Sequence, residues 1–165
     1  MTVNFFSEQC QQPDITHSQF GLCDDEDGNV AYVDTTNSDK WIATVDNAAR
    51  TPVTFSAIDN CIEIRKPNGD LESRCDAMLH YPDNIIFVEL KNKISKGWIT
   101  DGLNQLETTL INFRRNHNLD AIRHKRAYLS NRRRRHFHVI EHELKRRFFD
   151  AYKVRINIDG KIRVK

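Results

Sequence analysis

The chain has 165 residues, 39% of them hydrophobic and 29% charged, which favours one domain with a sizeable core. Its longest aliphatic and aromatic run, Ile85 to Val88, is too short to span a membrane, and the amino-terminal MTVNFFSEQC lacks the basic and apolar segments of a secretory signal. These features predict a cytoplasmic protein with no membrane partner.

The net charge of +2 conceals an uneven distribution. Residues 1–90 carry 5 Lys/Arg and 16 Asp/Glu, whereas residues 91–165 carry 20 and 7. A basic half is typical of a nucleic-acid-binding protein, although it would also suit an acidic protein partner or the acidic half of the same chain.

Four cysteines occur without any Cys-x-x-Cys spacing: Cys10, Cys23, Cys61 and Cys75. A chain of this size can build a core without disulfides, so we expect reduced, mostly buried thiols. A zinc site formed by Cys10, His17 and Cys23 is an alternative, but its spacing matches no common zinc site.

Residues 1–52 form an amino-terminal extension of mostly polar, irregular sequence. A short strand is predicted from Val30 to Val33. A short helix is predicted over 38–49, because apolar residues recur there at helical spacing between Ser38, a capping residue, and Pro52.

Residues 53–130 form the predicted core. Its strands are expected at Val53 to Ile58, Cys61 to Lys66, Leu71 to His80, and Ile85 to Asn92, with a helix over 100–117 and a strand from Arg126 to Ser130. The first four strands are separated by short breaks and should form an antiparallel meander, with Asn68-Gly69 as a two-residue turn.

Residues 131–165 begin with a basic tract. We expect a helix there from about Phe137 to Phe149, followed by a terminal hairpin over 154–164 that turns at Asp159-Gly160. The three segments together are predicted to form one domain.

The predicted turns determine which residues face one another. A turn centred on Asn68-Gly69 places Glu63 opposite Arg74 and Cys61 opposite Asp76. A turn centred on Pro82-Asp83 places Asp76 opposite Glu89 and Arg74 opposite Lys91. Asp83 itself lies in the turn, roughly 20 Å from Glu89 along an extended strand.

Asp76 and Glu89 would therefore face each other within an apolar setting, where like charges destabilise a sheet unless a proton or a cation intervenes. Mg²⁺ or Mn²⁺ would resolve this conflict, and Lys91, on the same face, would orient or deprotonate an attacking water. The competing interpretation is a set of ordinary ion pairs, Glu63 with Arg74 and Glu89 with Lys91.

With an acid on one strand and Glu-x-Lys on the next, the chain resembles the PD-(D/E)XK nuclease superfamily over residues 53–130. The resemblance implies an α/β fold with a mixed, largely antiparallel central sheet flanked by helices, and a Mg²⁺- or Mn²⁺-dependent endonuclease. Asp76, Glu89 and Lys91 match the motif residues, and the Leu90 carbonyl would be a further metal ligand. Gln105 matches the helix glutamine of some branches, although it could equally be a plain solvent-side residue.

Two departures from the family pattern affect the predicted activity. Cys75 stands where a proline precedes the first acid, and the acid that many members carry on the first helix has no clear match. Asp39, Asp46 or Glu63 could supply it. The alternative function is a catalytically degenerate nuclease-like domain that binds nucleic acid or protein, as an immunity or regulatory protein would.

Basic residues are predicted to bind the phosphate backbone of nucleic acid, with DNA favoured over RNA, although a solvated charge run would look the same. A homodimer is a further expectation, because one small domain would cut one strand at a time. The residues concerned are Arg114, Arg115, Arg126, Arg132, Arg133, Arg134 and Arg135, with Arg123 and Lys125 nearby.

The segment from His138 to His142 also fits the His-x-x-Glu-His pattern of inverzincin peptidases. That chemistry needs a third protein ligand, in that family a downstream glutamate, and no glutamate occurs after Glu143. An amphipathic helix that buries its apolar residues is the favoured interpretation.

Overall fold

A computed structural model describes residues 2–134, 139–140 and 142–165. Within these residues the chain forms ten strands and two α-helices. In chain order they are β1 (Gln11–Ile15), β2 (Gln19–Cys23), β3 (Tyr32–Asp34), β4 (Ala43–Asp46), β5 (Val53–Ala57), β6 (Ala77–Tyr81), β7 (Asn84–Lys91), α1 (Trp98–Asn116), β8 (His124–Asn131), α2 (His142–Tyr152), β9 (Arg155–Ile158) and β10 (Lys161–Arg163).

The strands form two mixed sheets. The larger has the order β1-β5-β6-β7-β8-β9, antiparallel from β1 to β7 and parallel from β7 to β9. The smaller has the order β10-β4-β2-β3, in which only the β10–β4 pair is parallel. The predicted α/β class with a mixed, mostly antiparallel sheet is confirmed.

Both faces of the six-stranded sheet are covered, each by a different layer. On one face Phe87 of β7 packs against Phe113 of α1, with ring centroids 5.3 Å apart, and α2 belongs to the same cluster. On the other face Val88 belongs to a cluster with Phe20 and Val45 of the four-stranded sheet. The described helices therefore lie on one face only, and a second sheet occupies the place of the flanking helix on the other.

The helix predicted over 38–49 is wrong. Ser38–Lys40 forms one 3₁₀ turn, and Ala43–Asp46 is strand β4. Along β4 the side chains alternate between buried and half-buried, and the strand pairs with β2 on one side and β10 on the other. The apolar residues at helical spacing therefore belong to a strand and its flanking residues. Pairing of β4 with two neighbouring strands overrides the weak local preference of this segment for helix.

The strand predicted from Cys61 to Lys66 is also absent from the described structure, where one isolated bridge joins Arg65 to Leu71. Gly69 has a positive φ of 93°, as a turn requires, but this bridge is one position out of the predicted register. Glu63 consequently does not face Arg74, nor Cys61 Asp76. Polar residues and Pro67 leave this loop too few apolar positions to form two sheet strands.

The predicted terminal hairpin is wrong in its pairing. β9 is parallel to β8 in the larger sheet, whereas β10 is parallel to β4 in the smaller one. The Asp159-Gly160 turn thus carries the chain from one sheet to the other. Strands β1 and β2 lie in the extension that was predicted to be irregular, and the strand predicted from Leu71 to His80 begins only at Ala77. β3 is shifted from the predicted Val30 to Val33, and α2 runs over His142–Tyr152, while part of its predicted start (137, 138 and 141) lies outside the described residues.

The expectation of four reduced cysteines is wrong for two of them. Cys10 and Cys61 form a disulfide with a Cα–Cα distance of 6.0 Å, which joins the start of β1 to the loop after β5. Cys23 and Cys75 are free and buried, as expected. With Cys10 in a disulfide, the alternative zinc site has lost one of its three ligands.

Gly102 lets α1 approach the sheet closely near the candidate site. A Cβ on this residue would lie 2.4 Å from Cδ1 of Leu129, which is fully buried in β8. We expect Gly102→Ala to lower the free energy of unfolding by about 1–2 kcal/mol, because overpacking outweighs the helix propensity gained. Urea unfolding measures this, with exposed Asn104→Ala as the control; a stabilised Gly102→Ala variant would contradict the close approach.

Candidate active site

The turn between β6 and β7 fixes the geometry of the site. Tyr81 pairs with Asn84 around the two-residue turn Pro82-Asp83, and the ladder runs back to Ala77 opposite Val88. Asp83 has a positive φ of 63° in this turn. The predicted register is therefore confirmed from Tyr81 back to Ala77, and the next residue, Asp76, lies beside Glu89. Arg74, predicted opposite Lys91, lies beyond the ladder and donates to Asp59 instead.

The chain leaves the ladder at Asp76. The amide of Cys75 donates to Oγ1 of Thr109 on α1 at 2.7 Å instead of to β7. Because the chain departs here, the Leu90 amide has no backbone partner on the side of β7 that faces β6. Oδ2 of Asp76 accepts a hydrogen bond from this amide at 2.7 Å instead. In a strand, the N–H and C=O of one residue point to the same side, so the Leu90 carbonyl is also directed to the side of β7 where Asp76 lies.

Glu89 and Lys91 project from the same face of β7, toward α1, as the alternation of side chains predicts. Nζ of Lys91 lies 3.1 Å from Oε2 of Glu89 and donates to Oε1 of Gln105 at 2.5 Å. Nε2 of Gln105 donates to the Arg74 carbonyl at 3.3 Å. The structure thus brings four predicted residues together: Asp76, Glu89, Lys91 and Gln105.

The two carboxyl groups, hereafter the acid pair, are almost fully buried, with exposed fractions of 6% for Asp76 and 2% for Glu89. Oε1 of Glu89 has no hydrogen-bond partner within the described structure. Buried carboxylates are normally satisfied, so this unpartnered oxygen marks the position where a further ligand or proton fits.

Burial and mutual repulsion disfavour ionisation of the acid pair. Burial, followed by the charge of Glu89, raises the pKa of Asp76 well above its usual range, although the Leu90 amide opposes the shift. Burial raises the pKa of Glu89 to about 7, with Lys91 lowering it. Without a cation the pair therefore retains protons to a higher pH than free carboxyls would.

Two further acids, missed by the sequence reasoning, act on the acid pair. The charge of Asp24 raises the pKa of Asp76, and that of Asp59 raises the pKa of Glu89. Asp59 also accepts from Arg74 at 2.9 Å. The acidic turn at 24–27 was visible in the sequence, but nothing local indicated that it would approach β6.

The residues proposed for the missing acid lie elsewhere. Glu63 is exposed and pairs with Arg65. Asp39 is exposed beside Arg132, which donates to its carbonyl, and Asp46 lies 3.8 Å from Nζ of Lys161 in the smaller sheet. Glu63 is thus not among the residues that the structure gathers around the acid pair.

The acid pair fits Mg²⁺ or Mn²⁺ better than a metal that needs several protein ligands. Among the described residues no three His, Cys, Asp or Glu side chains are grouped closely enough to hold an ion. Mg²⁺ typically takes one or two carboxylates and fills its other positions with water and phosphate oxygens. Asp76, Glu89 and the Leu90 carbonyl supply such a set, with Oε1 of Glu89 available.

Part of the basic tract lies at the same edge of the sheet as Lys91, because β7 and β8 are parallel and both end there. The Arg132 amide donates to the Lys91 carbonyl at 2.8 Å, and Nε of Arg133 donates to Oδ1 of Asn92 at 3.1 Å. Arg134 is exposed beside them. Arg135 lies outside the described residues, as do His138 and Glu141 of the peptidase pattern.

The other predicted phosphate-binding arginines are farther away or buried. Arg114 and Arg115 lie near the end of α1, about 14–15 Å along the helix from Gln105. The Arg126 side chain is buried and donates to the Tyr81 hydroxyl at 2.8 Å and to the Arg163 carbonyl at 2.6 Å. Arg126 thus connects the two sheets, which distinguishes it from a surface contact.

Among the residues the structure describes, neither helix is both long and apolar enough to cross a membrane. Searches against protein-family models, curated proteins and solved structures found no match to this chain.

Proposed function

We propose that this protein is a metal-dependent endonuclease that hydrolyses phosphodiester bonds of DNA, with RNA as the alternative substrate. The observation that carries the proposal is the buried acid pair, in which Oε1 of Glu89 has no hydrogen-bond partner among the described residues and both carboxyls resist ionisation. The proposal includes the restriction endonuclease-like fold that the motif resemblance implies.

In this proposal Asp76, Glu89 and the Leu90 carbonyl hold Mg²⁺ or Mn²⁺. A bound ion would polarise a phosphate oxygen and make its water more acidic. Lys91, 3.1 Å from Glu89, is placed to take up or release a proton and to stabilise negative charge on the phosphate. Gln105 acts as a positioning residue, since it links the Lys91 ammonium to the Arg74 carbonyl.

Substrate binding is assigned to the basic residues at the edge where β7 and β8 end. Arg132, Arg133 and Arg134 follow β8 directly and lie on the same edge as Lys91. Guanidinium groups bind phosphate oxygens with paired donors, so they suit a polynucleotide backbone passing the acid pair. Arg126 is left out of this role because its side chain is buried and its guanidinium connects the two sheets.

Cleavage of a panel of single- and double-stranded DNA and RNA with Mg²⁺, Mn²⁺ or EDTA tests the proposal. We expect metal-dependent cutting that Lys91→Met reduces at least 100-fold, since Lys91 stabilises negative charge in a buried site. Lys66→Met, at an exposed lysine beside the turn at Asn68-Gly69, is the matched control and should cut normally. Metal-independent cutting, or equal loss in both variants, would count against the proposal.

One observation favours the alternative of a degenerate nuclease-like domain that binds nucleic acid or protein. Asp76 satisfies the Leu90 amide and Lys91 pairs with Glu89, so most of the site also works as a structural network. In that case the panel shows binding or no interaction, without cutting, and metal ions leave the melting temperature unchanged. Size-exclusion chromatography with light scattering tests the predicted homodimer in either case.

We propose that the protein is cytoplasmic. The Cys10–Cys61 disulfide is the observation that argues against this location. Structural disulfides persist in oxidising compartments and are rare in the cytosol. Thiol labelling of the protein, trapped in acid directly from cells, distinguishes the two: a cytoplasmic pool should label at four cysteines.

A further inference from the structure

A basic cleft lies at the end of the six-stranded sheet where the parallel strands β7, β8 and β9 begin. The acid pair lies toward the opposite end of these strands. The cleft has a volume of about 690 Å³, and its described lining includes six Lys and Arg residues and one acidic residue, Asp83. The six cations are Arg123, Lys125, Arg126, Lys153, Arg155 and Lys165. Since β7 is eight residues long, this cleft is about 23 Å from Lys91.

Two of the six cations are buried without a counter-charge. Lys125 and Arg126 each have an exposed fraction of 8%, and neither forms a salt bridge with any described residue. Nζ of Lys125 donates to the Ile122 carbonyl at 2.7 Å, and the donors of Arg126 meet carbonyl and hydroxyl oxygens of the described chain. Burying a cation among neutral acceptors is costly, so an anion in the cleft would compensate both.

The exposed cations at the rim reinforce this positive potential. The Arg155 guanidinium lies 5.1 Å and the Lys153 ammonium 5.3 Å from the centre of the Phe149 ring, so both are held at the same place. A neighbouring cleft of about 390 Å³ shares Phe149 and Arg155 and adds Lys145 and Arg146. A carboxylate, with one negative charge, would offset little of this positive charge. A phosphate group carries more negative charge, and its oxygens can accept paired hydrogen bonds from a guanidinium group.

We propose that the basic cleft is a phosphate-binding site, separate from the acid pair and independent of the proposed nuclease function. Its ligand is a phosphate group, carried either by a small polyphosphate compound or by a polynucleotide.

Calorimetric titration of the full chain with sodium pyrophosphate tests this proposal, with EDTA present and ionic strength held constant so that activity at the acid pair has no influence. The test variant neutralises two cations at the rim, Lys153→Gln with Arg155→Gln. The control is Arg65→Gln with Lys66→Gln, which removes the same charge from an exposed loop. We expect the rim variant to lose at least tenfold in affinity and the control less than twofold.

A twelve-base-pair DNA duplex added as competitor distinguishes the two sources of phosphate. Displacement of pyrophosphate from the wild type indicates a polynucleotide, and independent binding indicates a small compound; both support the site. Absence of pyrophosphate binding to the wild type, or equal loss in both variants, would overturn it. Circular dichroism confirms that each variant is folded.

Discussion

Glu89→Gln is expected to reduce metal-dependent cleavage more than about 100-fold while making the metal-free protein more stable at pH 8. The loss follows from removal of a metal ligand, since even residues that only support a ligand are worth 10–100-fold. The gain follows from burial, because glutamine has the shape of protonated glutamate but cannot acquire the charge that the site disfavours. The two effects have opposite signs, which separates a catalytic role from a structural one.

The stability effect depends on pH in a defined window. The folded protein holds the Glu89 proton with a pKa of about 7, against an ordinary value of 4.5. The folded state therefore binds more protons than the unfolded state in this range, so the stability of the metal-free protein falls as pH rises from about 4.5 to 7. The shift corresponds to about 3 kcal/mol, which Glu89→Gln should recover at pH 8 but not at pH 4.

Urea unfolding at pH 4, 6 and 8, with EDTA or Mg²⁺, measures both predictions. Mg²⁺ should raise the wild-type stability at pH 8 and leave that of Glu89→Gln unchanged. Glu63→Gln provides the matched control, because Glu63 is exposed and pairs with Arg65; its stability should stay within about 0.5 kcal/mol of wild type. A Glu89→Gln variant that cleaves normally would exclude the acid pair as the catalytic site.

Reduction of the Cys10–Cys61 disulfide is expected to lower the free energy of unfolding by about 4 kcal/mol. The two cysteines are 51 positions apart, and closing a loop of that length removes a corresponding amount of chain entropy from the unfolded state. The disulfide also fixes the loop 58–76, which carries Asp59 and Arg74 beside the acid pair. Reduction should therefore weaken cleavage as well as stability.

Urea unfolding with and without dithiothreitol measures this effect. The variant Cys10→Ser with Cys61→Ser should match the reduced wild type and show no response to the reductant. Cys23 and Cys75 are buried and unpaired, so they do not contribute to the difference. Four reactive thiols in denatured, unreduced protein would show that the disulfide does not form.

The candidate site could be predicted largely because one turn determined it. Pro82-Asp83 was readable as a two-residue turn, and side-chain alternation then placed Asp76, Glu89 and Lys91 on one face. The helix 98–116 was equally readable, since its apolar positions recur over several turns, and Gln105 followed from it. Strong local patterns of this kind need no knowledge of distant partners.

The remaining features depend on contacts between distant parts of the chain. The short strand β4 is defined by its neighbours β2 and β10, and its own apolar spacing equally suited a helix. The disulfide joins cysteines whose spacing carries no signal. Asp24 approaches Asp76 only because the smaller sheet packs on the larger one, an arrangement that no pattern in residues 1–52 indicated.

The parallel pairing of β10 with β4 has a consequence for folding. Lys161 to Arg163 pair with Thr44 to Asp46, so the edge of the smaller sheet joins segments separated by more than 110 residues. During synthesis β2, β3 and β4 can pair with one another before β10 has been made. The backbone groups of β4 that bond to β10 remain unpaired until then. Contacts of such long sequence separation slow folding and expose an unpaired edge meanwhile. The smaller sheet should therefore close late in folding, and a chaperone that shields β4 should raise the yield of folded protein.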